Sequence, residues 1–400
     1  MMNDQLLNFY AEELSALKAS HNHRQLQRLK HQGQRIGVND SKPLLNLASN
    51  DYLGITSQAS LYEEFLEVLH EQRWPFSASS SRLLTGNFEN FERLETKMAS
   101  LFGRPCLLFN SGYHANIGIL PAICDDKTVI LADKLVHASI IDGMQLAAKH
   151  GTKTIRYQHQ NLPQLERLIQ KYQSDNGICR IIVVTESIFS MDGDITNLSH
   201  LSHLKAQYPK VMLYVDEAHA IGVRGGRGLG CVEEYGIINR VDFIVGAFGK
   251  ALASVGGYCI CHPILRDYLI NKMRPLIFST ALPPINIAWS CFILEQIPLM
   301  SQRRKHLMKL SDDLSKVVRL AKLPCPSASQ IIPIILGDNA RTLNAAADLG
   351  RQGYHVLAVR PPTVPKGQSR LRICLNSAIN DDTMTKFTQV LSQLIKSESK

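Results

Sequence analysis

No apolar run in this 400-residue chain approaches the ~18 residues that a membrane-crossing helix requires. Residues 1–10 lack a basic stretch followed by an apolar core, so no secretory signal is expected and a cytoplasmic location is. No Cys-x-x-Cys pair occurs. The nine cysteines are scattered, several inside apolar runs, which reads as reduced core thiols and not as a disulfide framework or a zinc site. In Cys259-Ile260-Cys261-His262, strand geometry puts the two thiols on one face and the imidazole on the other, so no metal is expected there. Gly-x-Gly-x-x-Gly and Walker fingerprints are missing, which argues against a dinucleotide-dependent oxidoreductase. The net charge is +9, but no basic run is interleaved with aromatics, so a nucleic-acid partner is not expected. Small anions and an acidic protein partner remain compatible with that charge. There is no internal repeat and no low-complexity tract.

The remaining composition, 45% apolar and 20% charged, is that of a globular protein. The length suggests one large and one smaller domain. Residues 1–43 read as a helical N-terminal segment, with a Leu pattern over 3–31 that suits an amphipathic helix or helix pair able to pack across another subunit. Residues 44–288 read as the large domain and 289–400 as a small C-terminal one. Residues 76–87 are rich in small side chains and read as a flexible linker, with Asn87 capping a helix that runs to Phe102. Residues 180–185, 211–215 and 241–248 are predominantly apolar runs of the kind found in parallel strands covered on both faces. Gly225, Gly226, Gly228 and Gly230 mark a mobile surface loop. A long helical region is expected over 285–320. Beyond it the pattern is strand, helix, strand, strand, helix at 331–336, 340–352, 355–359, 370–375 and 381–396, with a proline-rich break at 360–365.

Chemistry concentrates at strand ends. The run from Val211 stops at Asp216-Glu217-Ala218-His219, and the run from Val241 stops at Gly249-Lys250. In open parallel sheets ligands bind at that edge. An acid, a histidine and a lysine there suit pyridoxal phosphate: the lysine anchors it covalently, the acid pairs with its pyridinium nitrogen, the histidine meets its ring oxygen. On these residues alone, a strand-capping Asp216 and a surface-loop Lys250 are an equal reading. Cys106-Leu107-Leu108-Phe109 followed by Asn110-Ser111-Gly112 and a helix is a ready phosphate site, though many such turns bind nothing. His137 lies just past another strand end, where a lone histidine is more often a local hydrogen-bonding residue.

Taken together, Asn50-Asp51-Tyr52-Leu53-Gly54, Ser111-Gly112-Tyr113, His137-Ala138-Ser139, the run Glu186 to Asp194, Asp216-Glu217-Ala218-His219, Phe248-Gly249-Lys250, residues 279–284 and Arg370-Leu371-Arg372 are specific. With them the chain, from about residue 5 to its end, resembles the α-oxoamine synthases, a subfamily of the fold-type-I pyridoxal phosphate enzymes. The resemblance implies a three-layer α/β/α large domain with a mostly parallel sheet, a smaller α+β C-terminal domain, and a homodimer with shared active sites. It implies that Lys250 holds the cofactor and removes the amino-acid α-proton, that Asp216 keeps the pyridinium protonated, and that His219 bonds the ring oxygen. His137 would stack on the ring, Gly112, Tyr113 and Ser190 would line the cofactor site, and Thr280 would reach the phosphate from the partner subunit. Arg372 would clamp the amino-acid carboxylate, and Arg24 and Thr363 match substrate-contacting positions.

Within the subfamily, Arg360-Pro361-Pro362-Thr363-Val364-Pro365 and Gly337-Asp338-Asn339 look most like the members that condense L-alanine with a pimeloyl thioester and release CO₂. A glycine C-acetyltransferase is the alternative, and the acyl donor can ride on coenzyme A or on acyl carrier protein. Ala247 departs from the pattern, since relatives usually carry Thr or Ser there; one phosphate hydroxyl is missing and weaker cofactor retention is expected. Residues 77–81 are Ser-Ala-Ser-Ser-Ser where many relatives have glycines, and Ala220 stands where Gly is common.

Overall fold

The computed structural model describes residues 4–39 and 42–398. Residues 1–3, 40–41 and 399–400, which belong to the expected N-terminal segment and C-terminal domain, lie outside the described residues. The chain divides into two compact units, one of residues 50–190 and 194–305, the other of 1–49, 191–193 and 306–400. The expected boundary at 43/44 lies close to the division at 49/50, whereas 288/289 falls inside the helix Pro284–Gln296.

The first unit is built on a seven-stranded sheet. Its order is Cys106–Phe109, Gly257–Ile260, Phe243–Ala247, Val211–Asp216, Arg180–Glu186, Thr128–Asp133, Lys153–Tyr157. Only Gly257–Ile260 runs antiparallel to its neighbours. Consecutive residues Ile181, Ile182, Val183 and Val184 are all buried, so both faces of the sheet are covered. Ile130, Ala132, Ile182 and Val184 join one core with the helices Gly112–Ile123 and Ala138–Ala148. The opposite residues lie under Leu162–Gln173 and Leu198–Gln207, whose Leu165, Ile169, Leu198 and Leu201 are buried. This is the three-layer α/β/α arrangement. Burying each of these side chains contributes about 2 kcal/mol, which outweighs the weak local preferences of the strands. The C-terminal ends of the parallel strands therefore share one edge.

Residues 76–87 are not a plain linker: Arg82–Gly86 forms a π-helical turn and Ser81 bridges to Thr280. The helix that follows, Glu89–Phe102, has Phe88 at its N-cap position with no side-chain cap, and Asn87 Oδ1 instead accepts from Arg82 Nε. The glycine-rich loop after His219 is anchored, not loose. Glu233 accepts from the amides of Arg227 and Leu229, and buried Glu217 accepts from those of Cys231 and Val232. Two helices, Pro284–Gln296 and Ser301–Leu320, take the place of the single region over 285–320. Cys259 and Cys261 are both buried, and His262 caps the helix Pro263–Lys272.

The second unit holds a four-stranded sheet, in order Leu29–Gln32, Arg35–Val38, Leu44–Asn46, Tyr354–His355, and a three-stranded antiparallel one, Ile331–Gly337, Ser369–Cys374, Leu357–Val359. Helices Asn339–Arg351 and Asp381–Glu398 complete its α+β character. The N-terminal helix is Asp4–Ala19 alone; residues 29–38 form a hairpin, turned by Gly33 at φ 58°. Among the described residues no helix is long and apolar enough to cross a membrane.

Candidate active site

Five strand ends of the first unit supply the polar groups. Asp216 ends Val211–Asp216 and is buried; its Oδ1 accepts the Ala218 amide at 2.9 Å and its Oδ2 accepts Asn116 Nδ2 at 2.9 Å. In the turn beyond it, His219 Nε2 lies 2.8 Å from Lys250 Nζ. His219 Nδ1 lies 2.7 Å from the hydroxyl of Tyr52, which itself donates to Asn50 Oδ1 at 3.0 Å. With its proton committed to Asn50, the Tyr52 oxygen accepts from Nδ1–H, and Nε2 is left to accept from the lysine.

Gly112 opens the helix Gly112–Ile123. Ser111 caps it by accepting from the His114 amide, so the Gly112 and Tyr113 amides stand ahead of any helical acceptor. A Cβ on Gly112 would sit 3.3 Å from Ala247 Cβ, and one on Gly257 would lie 2.6 Å from the Gly112 nitrogen. Only glycine at 257 lets the neighbouring strand pass so close to this helix start. The Tyr113 phenol donates to Asp142 Oδ2 at 2.5 Å, and that bond raises its pKa. The Thr280 carbonyl accepts from Asn110 Nδ2 at 2.7 Å, beside the same turn.

His137 caps Ala138–Ala148, its Nδ1 accepting from the Ser139 amide. Burial lowers its pKa, the Asp216 charge opposes that, and Lys250 adds to it, so the ring is neutral at pH 7. Glu186 is paired in register with Asp216 on the adjacent strand. Burial first, and Asp216 second, raise its pKa well above the carboxylate range. Burial beside a second carboxyl thus favours the protonated form of Glu186. Ser190 is buried in the loop after that strand, where the Phe189 amide donates to the Asp194 carbonyl at 3.1 Å.

In the second unit, Arg24 Nη2 donates to Thr363 Oγ1 at 3.0 Å, which joins two predicted substrate residues 339 positions apart. Arg372 is buried on Ser369–Cys374, its Nη1 2.9 Å from Cys374 Sγ, and Arg370 pairs with Asp192. Sequence reasoning assigned no role to Tyr52, Asn116, Ser139 or Glu186. Asn116 lies one turn after Gly112 and so shares its helix face, the one local signal that marks it. Among the described residues, no group of three or more His, Cys, Asp and Glu forms a metal site.

The donor set fits pyridoxal phosphate. A lysine, a buried carboxyl group for a pyridinium and a glycine-walled helix start for a phosphate lie on one sheet edge. The model for class I and II aminotransferases matches residues 42–391, and the chain belongs to that family. Its fold is that of the fold-type-I pyridoxal phosphate enzymes: a serine palmitoyltransferase of Sphingomonas wittichii superposes with a TM-score of 0.88 at 25% identity, covering 100% of this chain and 99% of its own. More particularly, the chain is similar to the 8-amino-7-oxononanoate synthase of Haemophilus ducreyi, with 48% identity over 384 residues, 94% of this chain and 97% of that protein. A Pasteurella multocida relative is 51% identical over 391 residues, 97% of this chain and all of its own. The solved 8-amino-7-oxononanoate synthase of Francisella tularensis has a TM-score of 0.74 at 26% identity, covering 89% and 99%. The protein is a pyridoxal phosphate-dependent acyltransferase, an α-oxoamine synthase.

Proposed function

We propose that this enzyme condenses L-alanine with a pimeloyl thioester to give 8-amino-7-oxononanoate, CO₂ and the free thiol, a step of biotin biosynthesis in the cytoplasm. The observation that carries the reading is the Lys250–His219–Tyr52 line beside Asp216, in a chain 48% identical to a protein named for that product. Bound pyridoxal phosphate supplies the electron sink that stabilises carbanions at the alanine carbon.

In this reading Lys250 holds the cofactor and then moves the alanine α-proton. Asp216 keeps the ring nitrogen protonated, His219 bonds the ring oxygen, and the neutral His137 stacks on the ring face. The Gly112 and Tyr113 amides receive the phosphate at the helix N-terminus, where the dipole favours an anion; Ser190 lines the site and Thr280 of a second copy closes it. Arg372 binds the alanine carboxylate with its planar guanidinium, and Arg24 with Thr363 meets the acyl donor. The new bond joins the alanine carbon to the thioester carbonyl, the thiol leaves, and the alanine carboxylate departs as CO₂.

The test is product formation from alanine and pimeloyl thioester, offered on coenzyme A and on acyl carrier protein at two salt concentrations. Alanine with either pimeloyl donor is expected to exceed glycine with acetyl-coenzyme A by ~100-fold or more in kcat/KM, a difference of about 3 kcal/mol. Preference for glycine and the acetyl donor would make it a glycine C-acetyltransferase. The shared site further requires a homodimer, so sedimentation at the single-chain mass of 44.7 kDa would contradict it.

A further inference from the structure

Asn116 sits where a helix, a strand and a helix-capping turn meet, and it is buried. Gly143 on the facing helix makes room for it, since a Cβ there would come 2.5 Å from the Asn116 carbonyl oxygen. The Tyr214 phenol donates to Asn116 Oδ1 at 2.6 Å, and burial raises the phenol pKa, so it stays a donor. That bond fixes which end of the amide is which. The NH₂ end then donates to Asp216 Oδ2 and to Ser139 Oγ, each at 2.9 Å. Ser139 Oγ lies 2.7 Å from His137 Nδ1, and the Ser139 amide donates to the same nitrogen at 3.2 Å. With its oxygen accepting from Asn116, the serine gives its proton to His137. Nδ1 is thus an acceptor twice over, and the proton of the neutral imidazole sits on Nε2.

We propose that Asn116 and Ser139 are positioning residues: Asn116 aims Asp216 and, through Ser139, locks His137 in the Nε2–H tautomer, so that one amide sets two groups that address the cofactor. The inference rests on the roles proposed above for Asp216 and His137. Neither Asn116 nor Ser139 need touch cofactor or substrate; each acts through a bonded neighbour, as the orienting members of hydrogen-bonded catalytic groups do.

The test uses holoenzyme labelled with ¹⁵N-histidine, the His137 signals being those lost in His137→Gln. Wild-type protein is expected to show the Nε2–H tautomer. Ser139→Ala is expected to show mixed tautomers and a kcat about tenfold lower with the alanine KM within about twofold; Ser139→Thr, which keeps the hydroxyl, should restore both. Asn116→Ala is expected to raise the pyridoxal phosphate Kd at least about tenfold, read by absorbance after dialysis. A Ser139→Ala protein that keeps a single Nε2–H tautomer overturns the proposal, as does an Asn116→Ala protein with the wild-type cofactor Kd. If His137→Gln leaves turnover intact while Ser139→Ala still mixes the tautomers, the positioning stands and the role given to His137 falls.

Discussion

His159 bridges two carboxylates, with Nδ1 2.8 Å from Asp133 and Nε2 2.9 Å from Asp194. Burial alone would lower its pKa, but the hydrogen bonds and charges of the two carboxylates together outweigh burial and push it up to about 10. The ordinary value is 6.5, so the folded state holds the proton more tightly than the unfolded chain. That stabilisation is complete below about pH 6.5 and is lost as pH rises through about 10. Thermal melts of wild type and His159→Gln between pH 6 and 10.5 are expected to differ by several degrees at the acid end and to converge at the alkaline end. A constant gap would show that the charge on His159 contributes nothing. Ala247 is the second residue of consequence. Its Cβ lies beside Gly112 at the helix N-terminus, so a threonine hydroxyl there would add a donor for the phosphate. Ala247→Thr is expected to tighten pyridoxal phosphate binding up to ~10-fold, about 1.4 kcal/mol. An unchanged Kd would show that the missing hydroxyl at 247 does not weaken cofactor retention.

At the level of elements, the helices Gly112–Ile123 and Ala138–Ala148 matter most, because together they carry Gly112, Asn116, His137 and Ser139. Their close approach depends on Gly143. Gly143→Ala forces a methyl against the Asn116 carbonyl, which is backbone and cannot swing aside. A loss of about 1–3 kcal/mol is expected in urea unfolding, with weaker cofactor binding from the displaced Asn116. Unchanged stability would mean that the two helices separate at no cost. The strands that end in Asp216 and Glu186, and the one that leads to Lys250, were legible because fully covered strands need long apolar runs, here bounded by polar residues and glycine at the strand ends. The hairpin at 29–38 was not. Leu26 and Leu29 fit a helical repeat, and Leu29–Gln32 is exposed throughout, so no alternation marks it as a strand. Asn87 was mistaken for a cap because a nearby arginine, invisible to local pattern, takes its side chain. The glycines after His219 suggested mobility; their anchors, Glu217 and Glu233, became acceptors only once the chain had turned back on itself.

On the scale of the whole molecule, the residues given roles in the proposed function are found in both units. The first carries Lys250, Asp216, His219, His137 and the helix start at Gly112; the second carries Arg24, Thr363 and Arg372. Motif resemblance singled these residues out one at a time. What it left out are bonds between distant positions, such as Asn116 to Asp216, 100 residues apart, and Glu186 beside Asp216 on the neighbouring strand. These appear only when strand order is known, since burial and neighbouring charge act through space and not along the chain. In the proposed function this architecture holds pyridoxal phosphate on Lys250. Borohydride reduction of the holoenzyme followed by peptide mass mapping tests it most directly. The account predicts a single reduced phosphopyridoxyl adduct on Lys250, absent in Lys250→Ala; an adduct on another lysine, or none in a protein that binds the cofactor, would contradict it.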